Sequence, residues 1–171
     1  MHWADFTAQR LMERGSEQVS ASGVTPSGEF HIGHLREILS AEMIHRACID
    51  AGMSSKYIFI VDSMDPLRRV YDFLSPEYEE FIGCPLAFIP APEADGSPGD
   101  GGVTYAEYFL SPFLDALEQI GVRPEVVMNH ETYEKGLFAE YIDSAITKRD
   151  EIREIIQQIS GRELPPDWFP Y

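Results

Sequence analysis

Apolar residues recur every three or four positions in four stretches of this chain and cluster without a period in three shorter ones. In 32–51 the stripe is Ile32, Leu35, Ile38, Leu39, Met43, Ile44 and Ala47, followed by Gly52 as a stop. In 105–120 it is Phe109, Leu110, Phe113, Leu114 and Leu117, followed by Gly121. A third stripe, from Phe138 through Ile159, predicts one long helix over 137–160, with Lys148, Arg149, Asp150, Glu151 and Arg153 on a solvated face. An opening helix over 2–14 carries Ala4, Ala8, Leu11 and Met12 and ends at Gly15. The short runs are 19–22, 57–61 and 125–128. Tyr57-Ile58-Phe59-Ile60-Val61 is continuous, which suits a parallel strand buried on both faces. Strand, helix and strand following each other in this way form a βαβ unit with a right-handed crossover. The expected fold is therefore α/β, a Rossmann-like parallel-sheet nucleotide-binding domain.

Two features interrupt that pattern. Residues 75–102 hold Pro85, Pro90, Pro92 and Pro98 together with Gly96, Gly99, Gly101 and Gly102, which forbids long regular structure and predicts an irregular insertion. Its end, 94–102, is expected to be flexible, and no strand feeds it, so it is not a dinucleotide loop. After the third strand, Asn129 is a candidate N-cap for a short helix over 131–135. The tail from Pro165 to Tyr171 is expected to be extended.

Chemistry concentrates where the first strand meets the second helix, in Ser22-Gly23-Val24-Thr25-Pro26-Ser27-Gly28-Glu29-Phe30-His31-Ile32-Gly33-His34. Gly23 and Gly28 are expected at positive φ or at a close backbone approach. His31, Gly33 and His34 fall at a helix mouth, where free N–H groups and the helix dipole favour an anion. Two imidazoles three residues apart suit phosphate handling without a covalent nucleophile.

His31-Ile32-Gly33-His34 is the HIGH signature of class I aminoacyl-tRNA synthetases, and with Thr25-Pro26-Ser27-Gly28 before it the stretch closely resembles the lysine-specific class I enzymes. Trp3-Ala4-Asp5, Pro90-Ala91-Pro92 and Tyr105-Ala106-Glu107 extend the resemblance over the whole chain. It implies the N-terminal portion of a class I catalytic domain, 1–171, that activates lysine with ATP to lysyl-adenylate and charges tRNA(Lys). His31 and His34 are then the catalytic pair. Pro26, Ser27, Gly28, His31, Ile32, Gly33 and His34 bind ATP, with Mg2+ neutralising the triphosphate. Gly23 and Thr25 line the amino-acid pocket. Asp62 and Asp65, at the end of the second strand, match the family's acidic cluster; Ser63 stands where the family carries a carboxylate, and a Cys-His pair before Tyr-Ala-Glu is absent. No resident metal site is expected. The second class I signature, Lys-Met-Ser-Lys-Ser, is missing, so the 171 residues alone are expected to be inactive. Two other readings stay open: another class I synthetase such as the tryptophan enzyme, which has a similar opening, and a non-catalytic nucleotide- or amino-acid-binding module.

Charge changes the picture of partners. Twenty-nine acidic residues against thirteen basic ones give −16, and only Lys56, Lys135 and Lys148 are lysines. Such a surface offers little to nucleic-acid phosphates, so tRNA contact is expected through regions outside these residues. There is no long apolar run and no signal-peptide pattern, and Cys48 and Cys84 read as reduced core thiols, which together imply a cytoplasmic protein without a membrane span. Self-repulsion at −16 should be relieved by salt, because the Debye length falls to ~3 Å at 1 M. The thermal unfolding midpoint is expected to rise as KCl is taken to molar levels; a flat or falling midpoint contradicts this.

Overall fold

The computed structural model describes residues 2–170, and the chain divides between His130 and Glu131 into two compact units. The first unit opens with helix α1 (Trp3–Met12), strand β1 (Glu17–Val24), helix α2 (Ile32–Asp50) and strand β2 (Ser54–Val61). Helix α3 (Tyr105–Gln119) and strand β3 (Glu125–Met128) follow. The three strands make one parallel sheet in the order β1-β2-β3, the expected α/β architecture. Each strand of the βαβ pair is longer than its apolar run, because the polar residues at its start still join the ladder.

The two crossovers step across the sheet in the same direction, so right-handed connections place α2 and α3 on one face. The core confirms it: Ile38 of α2 and Leu110 and Leu117 of α3 pack on Tyr57, Phe59 and Val61. Ser22 and Tyr57 share a 2.7 Å hydrogen bond in this core, and the Tyr57 hydroxyl also reaches the Ile38 carbonyl. On the other face Val19 and Ala21 are exposed and Ile58 and Ile60 half-buried. The expectation that β2 is buried on both faces therefore holds on one face only within this unit. Hydropathy alone registers how apolar a strand is, and not whether a second layer covers it.

Helix α2 carries a buried carboxylate inside its apolar stripe. Glu42 accepts from Arg46 Nε at 2.6 Å, and Arg46 Nη2 donates to the Gly121 carbonyl beyond α3. Helix α1 closes a smaller cluster, with Ala4 and Ala8 against Ala47, Cys48 and Met53. Cys48 is buried as expected, whereas Cys84 is only half-buried.

Residues between β2 and α3 hold no long element, only two short 3-10 helices, Pro76–Phe81 and Leu86–Phe88. They nevertheless build a core of their own: Leu67, Leu74, Tyr78, Leu86 and Ile89 pack on Tyr105, Ala106 and Phe109 at the start of α3. The stretch expected to be flexible forms a hydrogen-bonded turn, in which Asp95 accepts from Ser97 and Gly96 takes φ +84°. A Cβ at Gly96 would lie 2.7 Å from the Phe73 carbonyl, so glycine is required there.

The chain continues as α4 (Asn129–Glu134), α5 (Ala139–Thr147) and α6 (Arg149–Ser160). Asn129, expected just ahead of this helix, is the first residue of α4. The single helix expected over 137–160 is broken at Lys148, which ends α5 and starts α6. Asp150 and Glu151 sit in the first turn of α6, where carboxylates favour a new helix N-terminus. Among the described residues no helix is long and apolar enough to cross a membrane.

Phe59 is fully buried at the centre of the sheet. Phe59→Ala is expected to lower stability by about 3–5 kcal/mol, the scale for emptying an aromatic core position. Denaturant unfolding measures it, and a loss below about 1 kcal/mol would show that this sheet face is not the core.

Candidate active site

The parallel register brings the three strand ends level: Val24 pairs with Val61, and Val61 with Met128. The residues that follow each strand therefore meet. Thr25 Oγ1 donates to Asp65 Oδ2 at 2.7 Å, and Asn129 Nδ2 donates to Asp62 Oδ1 at 2.7 Å. Asp62 N–H also bonds to the Val24 carbonyl. Burial, with Asp65 nearby, raises the Asp62 carboxyl above its ordinary range. Asp65 N–H bonds to the Asp62 carbonyl, so Thr25, Asp62 and Asp65 are connected. Arg68 touches Asp65 at 3.5 Å from an exposed position, a contact of little energetic weight.

Ser63 is fully buried. Its hydroxyl accepts the His130 N–H at 3.1 Å and pairs with His130 Nδ1 at 2.8 Å. A carboxylate there would be buried without a cation among these partners, which is a physical reason for serine at this position. From sequence, Asn129 stands out only as a helix cap and His130 not at all. The signal was available in principle, because in-register parallel strands set the residues after β3 beside those after β2.

The loop from Thr25 to His31 is fixed from below. Pro26 is buried, Ser27 N–H bonds to the Thr25 carbonyl, and Tyr105 Oη donates to the Ser27 carbonyl at 2.8 Å. Phe30 stacks on Phe113 of α3 with centroids 4.2 Å apart and lies 5.1 Å from the His34 ring. Neither Gly23 nor Gly28 takes positive φ. Gly23 continues β1, where an added Cβ would come within 3.3 Å of the Ile60 carbonyl, and Gly28 faces Phe73 at 3.5 Å. Gly23 is thus tightly packed against β2, whereas the Phe73 contact at Gly28 is an ordinary one.

His31 and His34 cap α2. His31 is the N-cap residue, and its Nδ1 accepts the Gly33 N–H at 3.0 Å, while His34 Nδ1 accepts the His31 N–H at 3.1 Å. The two rings lie 4.0 Å apart. A Cβ at Gly33 would fall 2.7 Å from His31 Cε1, so only glycine lets the ring fold over the first turn. The helix mouth is accordingly not a set of free amides, since Gly33 N–H is already taken. In a neutral imidazole one nitrogen accepts and the other donates. With both Nδ1 atoms accepting, both protons sit on Nε2. Burial, reinforced by the adjacent His31, holds the His34 imidazole below its ordinary value, with Glu37 pulling the other way. The arrangement presents two ring N–H donors at the positive end of a helix of 19 residues. Glu37, one turn further along α2, reaches the Gly23 N–H at 3.4 Å. Ile32, between the rings, points its side chain to solvent with 78% exposure. Among the described residues no group of three His, Cys, Asp or Glu side chains is placed to hold a metal ion.

Comparison with known proteins agrees with this geometry. The family described as tRNA synthetases class I (K) matches residues 1–171. A lysine-tRNA ligase of Archaeoglobus fulgidus is 43% identical over the whole chain, which corresponds to 34% of its own length. Lysine-tRNA ligase 1 of Methanosarcina acetivorans is 42% identical over the whole chain and 31% of its length. The ligase of Methanocaldococcus jannaschii is 42% identical over 99% of this chain and 31% of its length. The chain thus spans about a third of the curated relatives it matches. With the HIGH histidines at the mouth of α2 and the family match running from end to end, the chain belongs to the class I (K) tRNA synthetases.

Proposed function

We propose that these residues supply the first half of the active site of a cytoplasmic lysine-tRNA ligase, which joins lysine to ATP as lysyl-adenylate and then charges tRNA(Lys). The observation that carries this reading is the paired capping of α2, which leaves His31 and His34 as two Nε2–H donors side by side. Donors held in place before the substrate arrives cost no reorganisation when charge builds on a phosphate. ATP enters as substrate with Mg2+ on its triphosphate, and the lysine carboxylate attacks the α-phosphorus while pyrophosphate leaves. His31 and His34 hold the phosphates through Nε2–H. Gly33 leaves the His31 ring room to fold at the mouth where the nucleotide enters, and Pro26, Ser27, Gly28 and Ile32 border it. Gly23, Thr25, Asp62 and Asp65 form the amino-acid pocket, where a carboxylate suits the ammonium groups of lysine. The lysine-tRNA ligase names of the relatives favour lysine over tryptophan as the amino acid.

The acidic surface supports tRNA contact through residues beyond these 171. Alone, the chain is expected to bind ATP weakly and to show no lysine-dependent exchange of pyrophosphate into ATP. Joined to the remainder of a relative such as the A. fulgidus ligase, it is expected to show that exchange, reduced ~10²-fold or more by His31→Ala or His34→Ala. Equal rates in the fusion and both variants would contradict the phosphate assignment. Exchange driven by tryptophan and not by lysine would contradict the amino acid.

A further inference from the structure

The carboxyl ends of the strands are not the only recessed surface of the first unit. Two open depressions, of about 330 and 370 Å³, run together along α3 and share Glu29, Tyr108 and Phe109 as walls. Phe113 belongs to the first, Phe73 and Glu93 to the second. Their linings are aromatic, proline and alanine side chains with two glutamates, and neither contains a lysine or arginine. Tyr108 is 45% and Phe73 46% exposed, so aromatic faces stand open to solvent beside the carboxylates.

The rings form a continuous series. Tyr71 stacks on Phe73 at 5.6 Å, Phe73 meets Phe109 edge-on at 5.5 Å, and Phe109 meets Tyr108 edge-on at 4.9 Å. One end of the series already holds a guanidinium, because Arg69 lies 5.1 Å over the Tyr71 ring. The other end, at Tyr108, has Glu29 and Glu93 in the same walls and no cation lining it.

We propose that this groove docks an arginine-bearing segment of a partner protein, with a guanidinium against the exposed rings of Tyr108 and Phe73 and its charge answered by Glu29 and Glu93. Charge complementarity selects the occupant. A nucleic-acid strand would bring phosphates to a wall with two carboxylates on a chain of net charge −16. An uncharged apolar segment would leave both carboxylates without a counter-ion. Arginine suits the site better than lysine because the guanidinium is planar, weakly hydrated and stacks on aromatic faces, as Arg69 does at the far end.

The test titrates the 15N-labelled chain with acetyl-Gly-Arg-Gly-amide and with its citrulline counterpart, which has the same shape without the charge. Saturable shifts are expected at Glu29, Phe73, Glu93, Tyr108 and Phe109 with the arginine peptide only. Tyr108→Ala and, independently, Glu93→Gln should each weaken binding by ~3-fold or more, the scale of an exposed cation–aromatic contact. Both positions are exposed, and the unshifted remainder of each variant's spectrum reports that it is folded. Shifts scattered over the whole acidic surface, equal binding of the citrulline peptide, or folded variants that bind as well as the parent would overturn the proposal.

Discussion

A missing Cβ at Gly33 sets the geometry of the site. Without it the His31 ring can fold over the first turn of α2, 2.7 Å from where that Cβ would lie, and take the Gly33 N–H. His34 then returns the bond to the His31 N–H, and the two rings settle 4.0 Å apart. Each bond satisfies a backbone donor that a helix start would otherwise leave open. Each also fixes which ring nitrogen carries the proton. Helix capping and the placing of both ring protons on Nε2 are therefore one interaction.

The sheet supplies the second constraint. Because β1, β2 and β3 are parallel and in register, Thr25, Asp62 and Asn129 leave the sheet at the same level, one beside the next. Binding groups in open α/β sheets collect in this crevice at the carboxyl ends of the strands. Here two side-chain pairs tie the ends together: Thr25 with Asp65, and Asp62 with Asn129. Buried Ser63 adds a third tie, to His130. Phe30, stacked on Phe113, anchors the entry of α2 to α3.

Much of this was legible in the residues. β3 and the start of α2 fall where the pattern places them, because glycine and polar residues mark their boundaries sharply. His31, Gly33 and His34 were legible as a helix mouth, yet their capping bonds were not, since histidine is an uncommon cap and a spacing does not show which way a ring turns. The break at Lys148 was missed because the isoleucines of α6 continue the apolar spacing of α5, so periodicity sees no interruption. Asn129 reads only as a cap from its place after a strand, and its side-chain amide also donates to Asp62, 67 residues away in sequence. Ser63 looked like a lost carboxylate, and its burial shows a packing position. Contacts distant in sequence account for both.

The site rests on both histidines accepting through Nδ1 and holding their protons on Nε2. Long-range proton–nitrogen NMR of the imidazoles, recorded on the 15N-labelled chain above neutral pH, reads this directly. His31 and His34 are each expected to show an unprotonated Nδ1 and a protonated Nε2. A protonated Nδ1 on either ring would break the capping pair and contradict the account of the site.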